Sequence, residues 1–254
     1  MNDLKEFIKI ILSEFPEDRL TYQKGLATFH PESGPEAAHL FALANKCRQE
    51  LFITGFGNQI DPEGARFEKL MTVRTDRLNS MHKIVPEDFY IIVGSGFPLR
   101  EINRELKEYE LFLPHSDLPY VGSVGGALAI GLAAQHDKHS LPLSRYFIMA
   151  EIAAPDGNII RPGSACFKSV SGYDIVKIFS PSWGLLGLIV TATLRVLPLS
   201  AKEEYNGIKM SPIDYRRFLH LYQNPLEDIS ARYSLKIKQK FDANRIFPII
   251  DIFK

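Results

Sequence analysis

Hydrophobic and polar positions alternate along this chain with no single period. The opening MNDLKEFIKIILSEF predicts an amphipathic helix, with Leu4, Ile8, Ile11 and Leu12 on one face. A second helix is expected from Pro31 to Asn45, where Pro35 suits a first turn and Ala38, Phe41, Ala42 and Asn45 keep the three-to-four spacing. LFIT at 51–54 reads as a short buried strand that runs into a turn at Gly55-Phe56-Gly57-Asn58. Residues 67–73 and 88–96 predict two more strands, the latter stopped by Gly94 and Gly96, and 99–109 predicts an amphipathic helix. This first block reads α-β-turn-β-β-α.

A second block begins near Leu111. Gly, Ala and small aliphatics dominate 121–134, which permits very close packing or close ligand approach. Residues 146–163 predict a hairpin turned at Pro155-Asp156-Gly157. Residues 171–180 read as a helix and 185–198 as a β-branched strand ending in proline. Short helices are expected at Pro212 to Tyr222 and at Ala231 to Asp242. Helices and strands mix without regular alternation, so the fold class is α+β, not a doubly wound sheet.

Composition narrows the field. Thirty basic residues balance thirty acidic ones among 254, so nothing favours a nucleic-acid or membrane-surface binder. The apolar stretches 121–134 and 183–194 fall short of the roughly 20 residues that span a bilayer. The acidic N-terminal segment is wrong for a signal peptide, and two cysteines, Cys47 and Cys166, are too few for a disulfide scaffold. The expectation is a soluble, cytoplasmic protein.

Three glycine-containing segments carry most of the chemistry. TGFGNQ (54–59) follows a strand and exposes successive backbone N–H groups to an anion, or is simply a tight turn. It has neither dinucleotide-fingerprint nor Walker spacing. LPHSDLPYVGSVGGALAIG (113–131) offers Gly122, Ser123, Gly125 and Gly126 at a helix start, or a small-residue helix packed on a sheet. The third segment, 171–198, is a helix, a turn and a strand with Gly184 and Gly187 at the turns. His136, Asp137, Lys138 and His139 form a polar knot that reads as a solvated loop, and His-x-x-His alone is a weak metal signal. No metal site is expected. His30, His39, His82, His115 and His220 are scattered, with no role beyond surface or core.

In this order and spacing the segments resemble the FAD-binding domain of the PCMH-type (vanillyl-alcohol oxidase) flavoproteins. Within them the likeness is to the short FAD-binding subunit of glycolate oxidase. Gly55 to Gln59 matches a glycine-rich pyrophosphate loop. Pro114, Ser123-Val124-Gly125-Gly126, Leu128 and Ala129 match a P…(T/S)-I-G-G-x-(L/V)-A pattern. Val170 to Phe179 and Gly184 to Arg195 match the family's G-Y-D…L-G segment, and 236–248 resembles its last helix.

The resemblance implies a two-subdomain fold with non-covalent FAD stretched between the halves. The cofactor-binding residues it implies are Gly55, Phe56, Gly57, Asn58, Gln59, Pro114, Gly122, Ser123, Val124, Gly125, Gly126, Gly187 and Ile189. Amides at Gly55–Asn58 and Ser123–Gly126 would hold the pyrophosphate, and backbone near Gly187 and Ile189 would face the adenine or ribose. The implied organisation is an N-terminal helix at 1–22, an FAD-binding domain at 23–198 with subdomains of about 23–110 and 111–198, and a remnant of cap region with a final helix at 199–254. Residues 199–234 are too few for the family's substrate cap, so the cap is expected to be largely missing.

The implied activity is hydride transfer from a small 2-hydroxyacid such as glycolate or lactate to FAD. A partner subunit, a catalytic flavoprotein or an iron–sulfur protein, is expected. The rival expectations are a non-catalytic flavin-domain subunit and a protein binding another nucleotide on the same loops. Ile130-Gly131-Leu132-Ala133-Ala134 replaces the family's Thr-Asn-containing stretch. Tyr173, Asp174 and Lys168 match family positions without a derivable role, and Cys166 reads as a small strand residue. No catalytic residue is assigned.

Overall fold

The computed structural model describes residues 4–23, 25–58, 67–165, 175–213 and 229–250. Helix α1, Leu4–Glu14, buries Phe7 and Ile11 and leaves Leu12 exposed, so the apolar face is rotated from the one expected. It ends before Pro16, and a 3-10 turn, Glu17–Arg19, leads into β1, Leu20–Gln23, so the helix does not reach residue 22. Strand β2, Leu26–Phe29, returns antiparallel, with Leu20 opposite Phe29.

Helix α2, Gly34–Cys47, begins three residues after the expected Pro31 and runs two past Asn45. The Ser33 hydroxyl accepts the Glu36 N–H at 3.3 Å, Pro35 occupies the first turn, and Arg48 closes the helix in the left-handed region. The helix carries the chain across to β3, Leu51–Thr54; β4, Met71–Arg74, then lies between β2 and β3, parallel to both. Phe67–Lys69, expected to begin that strand, is instead a 3-10 turn.

A five-stranded antiparallel sheet follows. Strands β5, Met81–Val85, and β6, Tyr90–Gly94, form a hairpin. The helical stretch expected over 99–109 is broken into α3, Ile102–Leu106, flanked by 3-10 turns, and β7 is Leu111–Phe112. Helix α4, Val124–Ala129, precedes a hairpin of β8, Ala133–His136, and β9, His139–Pro142. Strands β10, Phe147–Ala153, and β11, Ile159–Ile160, form the expected hairpin. Strand β12, Leu188–Arg195, pairs with β10 on one side and β6 on the other, giving the order β11-β10-β12-β6-β5. As the central strand it is buried on both faces, which explains its nearly unbroken apolar sequence.

The chain closes with β13, Leu197–Pro198, paired to β7, and β14, Lys209–Met210, paired to β8. Helix α5, Ile229–Phe241, comes last. The expected helix from Pro212 lies almost wholly outside the described residues, as does the beginning of the one at 171.

The chain changes sheet between Arg74 and Met81, well before the boundary expected near residue 110. The cause is the pairing of β6 with β12, which draws residues 81–94 into the second sheet. The two sheets also share apolar packing. Phe7, Ile11, Phe41 and Val73 pack in one cluster with Ala153, Leu188 and Val190 of the second sheet, and with Ile246 and Phe247 of the tail. The other main cluster joins Ile91, Val93, Leu99, Leu128, Phe147 and Leu194.

Candidate cofactor cleft

One cleft gathers most of the glycine segments. Its wall includes Gly55, Phe56, Gly57, Asn58, Gly122, Ser123, Gly125, Gly126, Gly187 and Ile189, ten of the thirteen residues that the sequence nominates. Counting the open solvent at its mouth, the space between its walls is about 1220 Å³. Gln59 lies outside the described residues. Pro114 and Val124 do not line the cleft. Val124 is apolar and turns into the second core, while its neighbours Ser123 and Gly125 face the cleft. Pro114 opens a turn that Asn103 pins from α3, its Oδ1 accepting the Leu113 N–H at 2.8 Å and its Nδ2 donating to Asp117 at 2.9 Å.

The two loops touch. A Cβ on Gly55 would sit 2.7 Å from Ser123 Oγ and 3.6 Å from Gly126 Cα, so only glycine permits this approach. Asn58 Nδ2 donates to the Val121 carbonyl at 3.1 Å and ties the loops together. Among the described residues the N–H groups of Phe56, Gly57, Asn58, Gly122 and Ser123 have no acceptor. Gly57 adopts φ +75°, and the row of unpaired N–H groups makes a concavity suited to anionic oxygens.

The amides expected from Val124 to Gly126 are engaged elsewhere. Val124 donates to Phe97 O at 2.9 Å, Gly125 to Ser95 O at 2.7 Å, and Gly126 to the Ser123 hydroxyl at 3.1 Å. Gly125 and Gly126 therefore shape the wall through packing. A Cβ on Gly125 would lie 2.6 Å from Ser95 Cβ. Gly187, at φ +142°, likewise answers to β10, since its Cβ would meet Ala153 O at 2.7 Å.

Sequence reasoning missed several wall residues. Thr75, Ser95 and Tyr120 line the cleft, as do Ser182 to Leu185 and the tail Phe247 to Ile250. The tail is held by Asp242, which is 2% exposed. Its carboxylate accepts the Ile246 N–H at 2.8 Å, the Phe247 N–H at 2.9 Å and the Lys238 ammonium, while Ile246 O accepts the Leu51 N–H at 2.6 Å. The family-like ending KIKQKFDANRIFP is the one sequence signal that bears on this wall.

No Asp, Glu, Lys, Arg, His or Cys lines the cleft among the described residues. The wall is apolar side chains, hydroxyls and backbone, which suits a ligand with flat rings and oxygens held by N–H groups. Those features fit FAD: an amide-lined loop pair for the diphosphate, and Phe52, Ile53, Leu188 and Ile249 for its rings. The comparisons agree. Residues 26–163, just over half of the chain, match the FAD binding domain family.

The chain belongs to the FAD binding domain family, and FAD is its cofactor. It is 24% identical over 212 residues to mitochondrial D-lactate dehydrogenase [cytochrome] of Arabidopsis thaliana, covering 77% of this chain and 36% of that one. It is 29% identical over 116 residues to glycolate oxidase subunit GlcE of Escherichia coli, covering 44% and 33%. The chain thus spans little more than a third of the length of such relatives. Among solved structures, alkyldihydroxyacetonephosphate synthase superposes with a TM-score of 0.62 at 20% identity, over 76% of this chain and 40% of that one. That likeness shows the shared PCMH-type α+β fold.

The remaining candidates fall away from the cleft. His136 and His139 face each other across the β8–β9 turn, and His136 stacks on Tyr205 and bonds the Glu204 carbonyl at 2.6 Å. His115 is wholly buried, and its Nε2–H donates to Leu141 O at 2.8 Å. Burial pushes its pKa down to about 4, against that hydrogen bond, so the ring is neutral at pH 7. His30 sits between Asp76 at 2.7 Å and Thr21 at 2.8 Å, His39 bonds Glu14 at 3.3 Å, and His82 is exposed. Cys166, Lys168, Tyr173, Asp174 and His220 lie outside the described residues. Among the described residues, no cluster of three or more His, Cys, Asp or Glu could hold a metal, and no helix is long and apolar enough to cross a membrane.

Proposed function

We propose that this chain is the FAD-binding part of an oxidoreductase that takes a hydride from a small 2-hydroxyacid such as glycolate or lactate. The observation that carries the reading is the cleft: unpaired N–H groups on two touching loops, beside an apolar wall free of charged side chains among the described residues. Relatives named for D-lactate and glycolate oxidation support the substrate class. Bound FAD supplies the hydride acceptor, and the protein supplies position and electrostatics. In this chain Phe56, Gly57, Asn58, Gly122 and Ser123 hold the diphosphate through their amides, and no linkage to the protein is needed.

A 2-hydroxyacid brings a carboxylate, and its hydroxyl must lose a proton as the α-hydrogen leaves as hydride; these ask for a cation and a base. The described cleft wall offers neither. We therefore assign substrate capture to a partner subunit, a catalytic flavoprotein or an iron–sulfur protein, and place the complex in the cytoplasm. The named subunits of glycolate oxidase among the relatives support this assignment.

The charge-free wall also favours a second reading, a non-catalytic flavin subunit with a structural role. Anaerobic addition of glycolate or D-lactate to the FAD-loaded chain, alone and with its co-purified subunits, separates the two. Bleaching of the flavin band in the complex supports the oxidoreductase reading. A band that survives every hydroxyacid in both settings overturns it in favour of the second.

A further inference from the structure

Two hydroxyls in the wall of the cleft have nothing to bond. Thr75 and Ser95 are 4% and 0% exposed, and neither Thr75 Oγ1 nor Ser95 Oγ has a hydrogen-bond partner. Both residues line the cleft. A buried hydroxyl left unpaired is costly, and native proteins rarely leave one. Two of them in one cleft wall point to a group that arrives from outside.

Their backbones explain the placement. Thr75 prolongs the first sheet, its N–H donating to Thr54 O at 3.1 Å. Ser95 prolongs β6 in the second sheet, its N–H donating to Val190 O at 2.9 Å and its carbonyl accepting from Gly125. The connecting loop folds back over β6, with Gly94 N–H on Ser80 O and Gly96 N–H on Leu78 O, each at 2.8 Å. A Cβ on Gly96 would stand 1.9 Å from Thr75 O, so the ends of the two sheets abut here. Backbone groups of both residues are spent on the fold, and the side-chain hydroxyls remain for a ligand.

We infer that Thr75 and Ser95 are direct hydrogen-bond donors to the bound cofactor, one from each sheet. The inference rests on the FAD reading above and adds to the loop amides two contacts that no glycine segment contains. Because neither hydroxyl has a protein partner, removing one has opposite consequences for the empty and the loaded protein. Empty protein loses no bond and is relieved of an unpaired buried group; loaded protein loses a contact and leaves a cofactor acceptor unpaired.

The test is titration of FAD into the chain and its Ser95→Ala and Thr75→Val variants, with thermal unfolding of the cofactor-free proteins. Each variant is expected to bind FAD about tenfold more weakly, and the double variant about a hundredfold, with cofactor-free melting temperatures unchanged or raised. Parallel titrations with FMN and with ADP locate the contact: weakening with FMN places it at the flavin end, and weakening with ADP at the adenosine diphosphate end. Variants that bind FAD as tightly as the wild type overturn the inference alone. Lowered melting temperatures of the empty variants overturn it too, since the hydroxyls would then have protein partners. A wild-type chain that takes up no FAD overturns the cofactor reading and the inference with it.

Discussion

Replacing Asp242 by Asn should loosen the wall of the cleft built by the tail. The carboxylate is 2% exposed and faces Lys238, itself 6% exposed, while accepting the N–H groups of Ile246 and Phe247. An amide keeps a single acceptor oxygen and turns its NH₂ toward a lysine and a backbone donor. The ammonium of Lys238 is then buried without its counter-charge. Removing one partner of a buried pair costs about 3–5 kcal/mol, a large share of the roughly 5–15 kcal/mol that holds a domain together. The loss falls on Phe247, whose ring meets Phe41 edge-on at 5.0 Å, and through it on Pro248 to Ile250 in the cleft. Urea unfolding followed by circular dichroism measures the change, and FAD titration reads the cleft. Lys238→Met with Asp242→Asn should recover part of the stability, because no unpaired charge is left. Asp242→Asn within about 1 kcal/mol of wild type, with FAD affinity intact, would refute the view that this carboxylate anchors the tail.

Two further outcomes follow from buried groups. The folded pKa of His115 is about 4, below its ordinary 6.5, so between those values the unfolded chain binds more protons. Stability should therefore fall as pH drops from about 6.5 to 4, by about 3 kcal/mol from this residue, and His115→Phe should flatten that window in urea titrations. Gly125→Ala should destabilise the cofactor-free protein by about 1–3 kcal/mol, because the new methyl meets Ser95 Cβ and a backbone carbonyl that cannot withdraw. Equal urea midpoints for the two proteins would show that the glycine serves ligand approach alone.

The sequence was most legible where one element has one environment. Helix α2 declared itself through its first-turn proline and apolar spacing, and the structure adds the Ser33 cap. Strand β12 did so through a nearly unbroken apolar run, and the β10–β11 hairpin through Pro155-Asp156-Gly157. Strand β5 was missed because as an edge strand it exposes His82 and Lys83 and shows no clean alternation. Strands β1 and β2 were missed because each is only four residues long and owes its place to pairing, β1 with β2 and β2 with β4.

The site divides in the same way. The glycine loops could be read because close loop contact demands glycine locally, at Gly55 above all. Thr75, Ser95 and the tail at 247–250 could not, since only tertiary pairing brings them to one cleft. Spacing also could not tell which amides of the second segment are spent. The bonds of Gly125 to Ser95 and of Gly126 to Ser123 follow from the approach of α4 to β6 and from its cap.

The most direct measurement is calorimetric titration of FAD into the cofactor-free chain. The account predicts saturable binding of a single FAD per chain, abolished or strongly weakened when the tail anchor at Asp242 is removed. Heat that never saturates, or uptake that ignores the state of the cleft walls, would contradict it.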